Sequence, residues 1–130
     1  YNPLEMHQYT IDSNHRYTKK GVPGLYFGDS IDTVAAELGH YKINDLNNNR
    51  TTFSFDIKAN NMLDITDNSV RKKLGISLES ITGNSYEVTH KIGDMAYSNG
   101  YNGLIVPSAR RKGGVNIVIF NPDNVEIKKK

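Results

Sequence analysis

The sequence predicts an α+β fold, a compact mixed sheet with helices on its flanks, and three observations lead there. Helical and strand-like segments are interspersed without the regular alternation that builds a doubly wound parallel sheet. The strand-like runs are short, and each is bounded by Gly, Pro, Asn or Asp. The length, 130 residues with 37% hydrophobic content, suits one core and one domain over residues 1–130, and no internal repeat divides it.

The first strand is expected at Leu25 to Gly28. Asp29 to Gly39 follows as the clearest helix. Ser30 can cap it, Ile31, Val34, Ala35 and Leu38 recur at helical spacing as its apolar stripe, and Gly39 supplies the stop. At about 100° per residue, Glu37 lies roughly 110° from the centre of that stripe, at its border, where it can face a cleft. The asparagine-rich stretch Asn44 to Arg50 reads as a surface loop. Strands are expected at Thr52 to Ile57 and Met62 to Ile65. A short helix follows from Asp67 to Leu74, opened by Asp67 or Asn68 and closed by Gly75. A third helix over Ser85 to Ser98 buries Val88, Ile92, Met95 and Ala96 and ends before Gly100. Strands at Gly103 to Val106 and Val115 to Phe120 complete the set, and Lys128, Lys129 and Lys130 read as a solvated tail.

Composition narrows the chemistry. Without cysteine there is no disulfide framework, no thiol nucleophile and no cysteine-ligated zinc. No window approaches the run of about 18 apolar residues that a membrane span needs, and no signal-peptide pattern opens the chain. The net charge of +2 and the local cluster Arg110, Arg111 and Lys112, with no aromatic residue interleaved, give little footing for nucleic acid. His7, His15, His40 and His90 are scattered, so no metal site is expected. Asp45, Asn47, Asn49 and Asp56 mimic a calcium loop but have Arg50 where the turn needs glycine. Ser69 and Lys72 form an isolated S-x-x-K at a helix start, where capping and solvation account for both. Glycine-rich phosphate loops of the common nucleotide folds are missing from the sequence.

Three places combine polar groups with glycine and aromatic residues beyond what packing requires. His15-Arg16-Tyr17-Thr18 is followed by Gly21 and Pro23-Gly24-Leu25-Tyr26-Phe27-Gly28, and an arginine beside a glycine-rich turn suits an anion. Glu37 on its helix can hydrogen-bond a ribose hydroxyl or stabilise a cationic transition state, although a helix glutamate taken alone is more simply a solvated charge. Gly103-Leu104-Ile105-Val106-Pro107-Ser108-Ala109-Arg110 ends an apolar strand at proline and sets Ser108 at its rim, where sites collect and where turn serines are also common.

Together these segments resemble the RES domain family, named for an arginine, a glutamate and a serine, here Arg16, Glu37 and Ser108 in that order. His15-Arg16-Tyr17, Gly24-Leu25-Tyr26 and Ala35-Ala36-Glu37-Leu38 resemble the family's opening. Gly103 to Arg110, then Gly114 and Asn116-Ile117-Val118-Ile119-Phe120-Asn121-Pro122, resemble its closing part, and Asp56-Ile57 with Leu63-Asp64-Ile65-Thr66-Asp67 its middle. The resemblance implies an ADP-ribosyltransferase-like fold and a toxin that acts on NAD as substrate, with no metal and no cofactor. It removes nicotinamide by hydrolysis or phosphorolysis, or alternatively transfers ADP-ribose to a protein. It further implies Arg16, Glu37 and Ser108 as catalytic residues and Arg16, Tyr17, Tyr26, Ser108 and Asn116 as the residues that contact NAD. Arg16 takes the pyrophosphate, Glu37 the ribose and Tyr26 a ring; Ser108 bonds the nicotinamide side or positions an attacking group. A cognate antitoxin or immunity protein is the expected partner, and the cytoplasm of the producer or of a target cell is the expected place of action. The opening at Tyr1 without methionine suggests a piece excised from a longer polypeptide or a trimmed chain, and leans towards the C-terminal part of a longer secreted toxin over a small toxin paired with an antitoxin. A non-catalytic binding module of the same fold is the competing reading, against which the intact Arg16, Glu37 and Ser108 argue.

Overall fold

The computed structural model describes residues 14–39 and 53–130. The expected Asn44 to Arg50 loop, His7 and His40 lie outside them, as does the start of the strand expected at Thr52. The described elements are β1 (Leu25–Gly28), α1 (Ile31–Gly39), β2 (Phe55–Lys58), β3 (Met62–Asp64), α2 (Asn68–Leu74), α3 (Leu78–Thr82), α4 (Glu87–Ser98), β4 (Gly103–Pro107), β5 (Val115–Ile119), a 3-10 turn at Pro122–Asn124 and β6 (Glu126–Lys129).

Among the described residues, four strands form one sheet in the order β1-β5-β4-β3. β3 and β4 run parallel and the other pairs antiparallel, so the sheet is mixed and the fold is α+β. A parallel pair needs a long crossover, and here α2, α3 and α4 supply it. β4 is central, and Leu104 and Val106 on it are fully buried with Val118 of β5 beneath α4, which contributes Ile92 and Ala96. Val88 and Met95 pack half-buried at the edge of the same cluster, as their helical spacing predicts.

Local chemistry sets the helix ends. The Asp67 carboxylate accepts from the Ser69 N–H, and Gly75 closes α2 in the left-handed region at φ 69°. Two elements escaped the sequence reading. α3, capped by Ser77, has five residues, too few for a periodic signal. β6 corrects the solvated lysine tail: Ile127 pairs with Ile57 in an antiparallel ribbon, while Lys129 lies over the Phe53 ring and Lys130 pairs with Asp56. Lysine stems cover apolar surface readily, so a basic run and an edge strand coexist.

The largest correction concerns α1. The apolar stripe of an amphipathic helix ordinarily faces the core, yet here Ile31 is 68% exposed and Val34 and Ala35 are exposed as well. The helix instead turns Thr33 inward, fully buried, with Glu37 one turn later on the same side.

The segment leading into β1 crosses α4 at very close range. A β-carbon on Gly93 would stand 1.7 Å from the Tyr17 carbonyl oxygen, so glycine alone lets the chain lie on the helix. Gly93→Ala is therefore expected to destabilise the protein by about 1–3 kcal/mol through overpacking. A chemical denaturation midpoint equal to that of the parent protein would contradict this packing.

Candidate active site

The site is assembled where α1 meets the edge of the β4–β5 hairpin. β1 delivers the chain into α1 beside β5, with Gly28 opposite Asn116 and Val106 of β4 opposite the same Asn116. Ser108 stands one residue beyond β4 and is 6% exposed. Its hydroxyl donates to Glu37 Oε2 at 2.5 Å, and the Asn116 side-chain amide donates to the same oxygen at 2.7 Å. Glu37, Ser108 and Asn116 are thus brought into direct contact across 71 and 79 positions of sequence. Among the described residues, Glu37 Oε1 makes no hydrogen bond.

The serine hydroxyl is fully engaged. Besides donating to Glu37, Ser108 Oγ accepts from the Arg110 and Arg111 amides at 3.2 and 3.1 Å. The Ser108 N–H bonds to the Gly114 carbonyl and closes the loop. No histidine is hydrogen-bonded to this hydroxyl among the described residues, so the arrangement is that of a positioning donor, not an activated nucleophile.

Arg16 is held by the protein itself. Its Nη1 donates to the carbonyls of Gly83 at 2.7 Å and Ile81 at 3.3 Å, at the C-terminal end of α3. Its guanidinium carbon lies 4.8 Å from the centre of the Tyr86 ring. Among the described residues, Nε and Nη2 make no hydrogen bond and remain able to receive an anion. Tyr86 was not singled out from the sequence, since it carries neither a motif nor a periodic position. The backbone behind Arg16 is pinned as well: His90 on α4 donates from Nε2 to the His15 carbonyl at 2.7 Å.

The two tyrosines part company. Tyr26 is 36% exposed, with its ring 6.0 Å from that of His15, and its hydroxyl receives the Tyr17 N–H and bonds the Thr18 hydroxyl, both at 3.0 Å. Tyr17, expected to touch NAD, lies in the core at 1% exposure, because the chain turns its side chain under α4 while Arg16 stays at the surface. Among the described residues, its hydroxyl is buried without a partner. Burial pushes that phenol far above its usual range, the neighbouring Arg16 works against it, and the nearby Tyr26 and Glu37 add to it, so it stays a neutral group beneath the site.

A second network ties α1 to the loop after Ser108. Thr33 donates to Asp29 at 2.6 Å and accepts from Arg111 Nη1 at 3.2 Å, and Arg111 Nη2 lies 3.9 Å from Asp32. Thr33 was missed in the sequence because a lone threonine inside a helix gives no pattern. The Thr33 hydrogen bond holds the Asp29 carboxyl below its ordinary value. No group of three His, Asp or Glu side chains is close enough to hold a metal ion among the described residues, and no described helix is long and apolar enough to cross a membrane.

Fold and site together define an α+β domain whose helix glutamate is clasped by a strand-end serine. The RES domain profile matches residues 3–130, essentially the whole chain, and the chain belongs to the RES domain family. Among solved structures it is similar to a chain of the M. tuberculosis MbcT–MbcA toxin–antitoxin complex, with a TM-score of 0.68 and 17% identity, over 98% of this chain and 75% of that one. No curated protein sequence matches it.

Two measurements check this geometry. Removing an unpartnered buried hydroxyl costs no hydrogen bond, so Tyr17→Phe is expected to leave the melting temperature unchanged or raised. A clear drop would mean that the hydroxyl has a partner. Burial holds His15 below its ordinary value and a hydrogen bond holds Asp29 below its own. Each group therefore binds protons more weakly folded than unfolded, and stability falls with pH in two steps, first below about 6.5 and again below about 3.9. In denaturation midpoints measured against pH, His15→Gln is expected to remove the upper step alone.

Proposed function

We propose that this chain is an NAD-consuming toxin domain that cleaves the bond between nicotinamide and ribose. The observation that carries this reading is the Glu37 carboxylate, with Oε2 clasped by Ser108 and Asn116 and Oε1 left without a hydrogen bond among the described residues. Scission breaks the C–N bond, the electron pair departs with neutral nicotinamide, and positive charge develops on the ribose. A carboxylate fixed beforehand stabilises that charge without reorganising. An incoming oxygen nucleophile then bonds the ribose carbon and releases its proton. Water gives ADP-ribose, and inorganic phosphate gives its phosphorylated counterpart.

The remaining posts follow from the same residues. Arg16, steadied by Tyr86 and the α3 carbonyls, offers Nε and Nη2 to the pyrophosphate. The part-exposed Tyr26 offers a ring face for stacking. Ser108, its hydroxyl already engaged with Glu37 and two backbone amides, holds the carboxylate in place rather than bonding the nicotinamide end itself. No metal is needed in this scheme, since charge is met by the arginine and the carboxylate. Hydrolysis or phosphorolysis is preferred to protein modification because, among the described residues, no docking surface for a macromolecular acceptor is evident near the site.

Membership of the RES family, with structural similarity to a chain from a toxin–antitoxin complex, supports a cognate antitoxin or immunity protein as partner and the cytoplasm, where NAD is plentiful, as the place of action. Lys112, exposed on the loop after Ser108, favours an acidic partner. Arg111 contributes less to that attraction than its sequence position suggested, because its guanidinium is engaged with α1.

Purified protein incubated with NAD is expected to release nicotinamide, with or without a chelator. Glu37→Gln should lower kcat about 100-fold with little change in KM. Arg16→Ala should raise KM and also lower the melting temperature, since it removes both α3 contacts. Intact NAD at high protein concentration, with no labelled acceptor either, would overturn the reading.

A further inference from the structure

Glu37 and Ser108 belong to different parts of the chain, and their contact at 2.5 Å requires that α1 and the loop after β4 keep a fixed separation. One hydrogen bond at the mouth of a site is a weak device for that. A second connection runs behind it, through a single residue. The Arg111 amide donates to Ser108 Oγ at 3.1 Å, so its backbone is tied to the serine. Its guanidinium donates to Thr33 Oγ1 at 3.2 Å and approaches Asp32 at 3.9 Å, so its side chain is tied to the helix.

Thr33 is a suitable anchor. It is fully buried and lies four residues, about one helical turn, before Glu37, on the same face of α1. Its hydroxyl is saturated, donating to Asp29 at 2.6 Å and accepting from Arg111, with Ser30 Oγ 3.3 Å away. The loop approaches so closely that a β-carbon on Gly114 would stand 2.7 Å from Thr33 Oγ1. The connections form a closed ring: Glu37 to the Ser108 hydroxyl, to the Arg111 amide, along the Arg111 side chain to Thr33, and back along one turn of helix to Glu37. Arg111 also closes the loop on itself, its carbonyl accepting from the Gly114 N–H at 3.0 Å.

We propose that Arg111 and Thr33 are positioning residues for the Glu37–Ser108 pair, holding the glutamate helix and the serine loop in register without touching substrate. A planar guanidinium suits this role because it bridges two acceptors on the helix while its own backbone stays in the loop. Asp29 completes the anchor by receiving the Thr33 proton, which leaves the hydroxyl lone pairs turned to the arginine. Removing the link loosens the separation between carboxylate and serine, and small displacements of that kind lower turnover more than ground-state binding.

The kinetic arm of the test rests on the NAD-consuming reading and the exchange arm does not. Amide hydrogen exchange is followed at Arg110 and Arg111, whose N–H groups the Ser108 hydroxyl holds, alongside steady-state kinetics with NAD. In Thr33→Val and in Arg111→Ala, exchange at these two amides is expected to rise about tenfold, and kcat to fall about tenfold with KM changed less than about twofold. Thr33→Ser, which keeps the hydroxyl, should restore both, and Arg111→Lys should restore them only in part. Unchanged exchange overturns the proposal. So does raised exchange with normal kcat, and so does faster exchange throughout the core, at Leu104 and Val118 as well, which would mark a general loss of stability. If the parent protein leaves NAD intact, the proposed activity falls, and exchange at Arg110 and Arg111 still decides whether the link exists.

Discussion

Glu37 Oε2 accepts two hydrogen bonds, one from a serine at the end of β4 and one from an asparagine within β5, and the attitude of α1 depends on them. A helix with Ile31, Val34 and Ala35 on one side is expected to bury that side, worth about 1.5–3 kcal/mol for the isoleucine alone. The helix gives this up and leaves Ile31 exposed. What outweighs it is polar. Hydrogen bonds to an ionised group contribute about 1.5–3 kcal/mol each. Glu37 receives two, and the Thr33 hydroxyl with its Asp29 and Arg111 partners adds a further set. The apolar face is left outside because the opposite face carries the better partners.

Under the proposed function, Arg16 would serve packing and chemistry with one side chain. The carbonyls that it caps belong to the end of α3, a five-residue helix whose last carbonyls need donors. A cation there is favoured by the local dipole and by the Tyr86 face beneath it. Held on one edge in this way, the guanidinium loses little further freedom when its other edge meets an anion, which is the benefit of preorganisation. The same economy appears at Ser108, whose oxygen organises its own loop through two amides while its proton goes to Glu37.

Much of the fold was legible because its signals are local. Asp67 and Gly75 bracket α2, Ile92 and Ala96 mark the buried side of α4, and the short apolar runs with turn residues between them mark the sheet strands. The pairing of β3 with β4 was not legible, since a parallel ladder depends on contacts far apart in sequence. The Glu126–Lys129 strand was hidden by its charges, although Ile57 and Ile127 give the ribbon its apolar side. In the site, the resemblance supplied Arg16, Glu37, Ser108 and Asn116. The structure added what spacing alone cannot supply: the contacts of Glu37 with Ser108 and with Asn116, the core position of Tyr17, and the placement of Thr33, Tyr86 and Arg111 beside these groups.

The proposed function requires the dinucleotide to bind at the clasped carboxylate. The most direct measurement is a titration of isotopically labelled protein with a non-cleavable NAD analogue whose ribose oxygen is replaced by carbon, followed by NMR at the Asn116 side-chain amide and the Arg110 and Arg111 backbone amides. These three groups share Glu37 or Ser108 as acceptor, so they are expected to shift together and saturate with one dissociation constant. Saturable shifts confined to a distant region, such as the ribbon of β2 and β6, with the Asn116 amide unmoved, would contradict it.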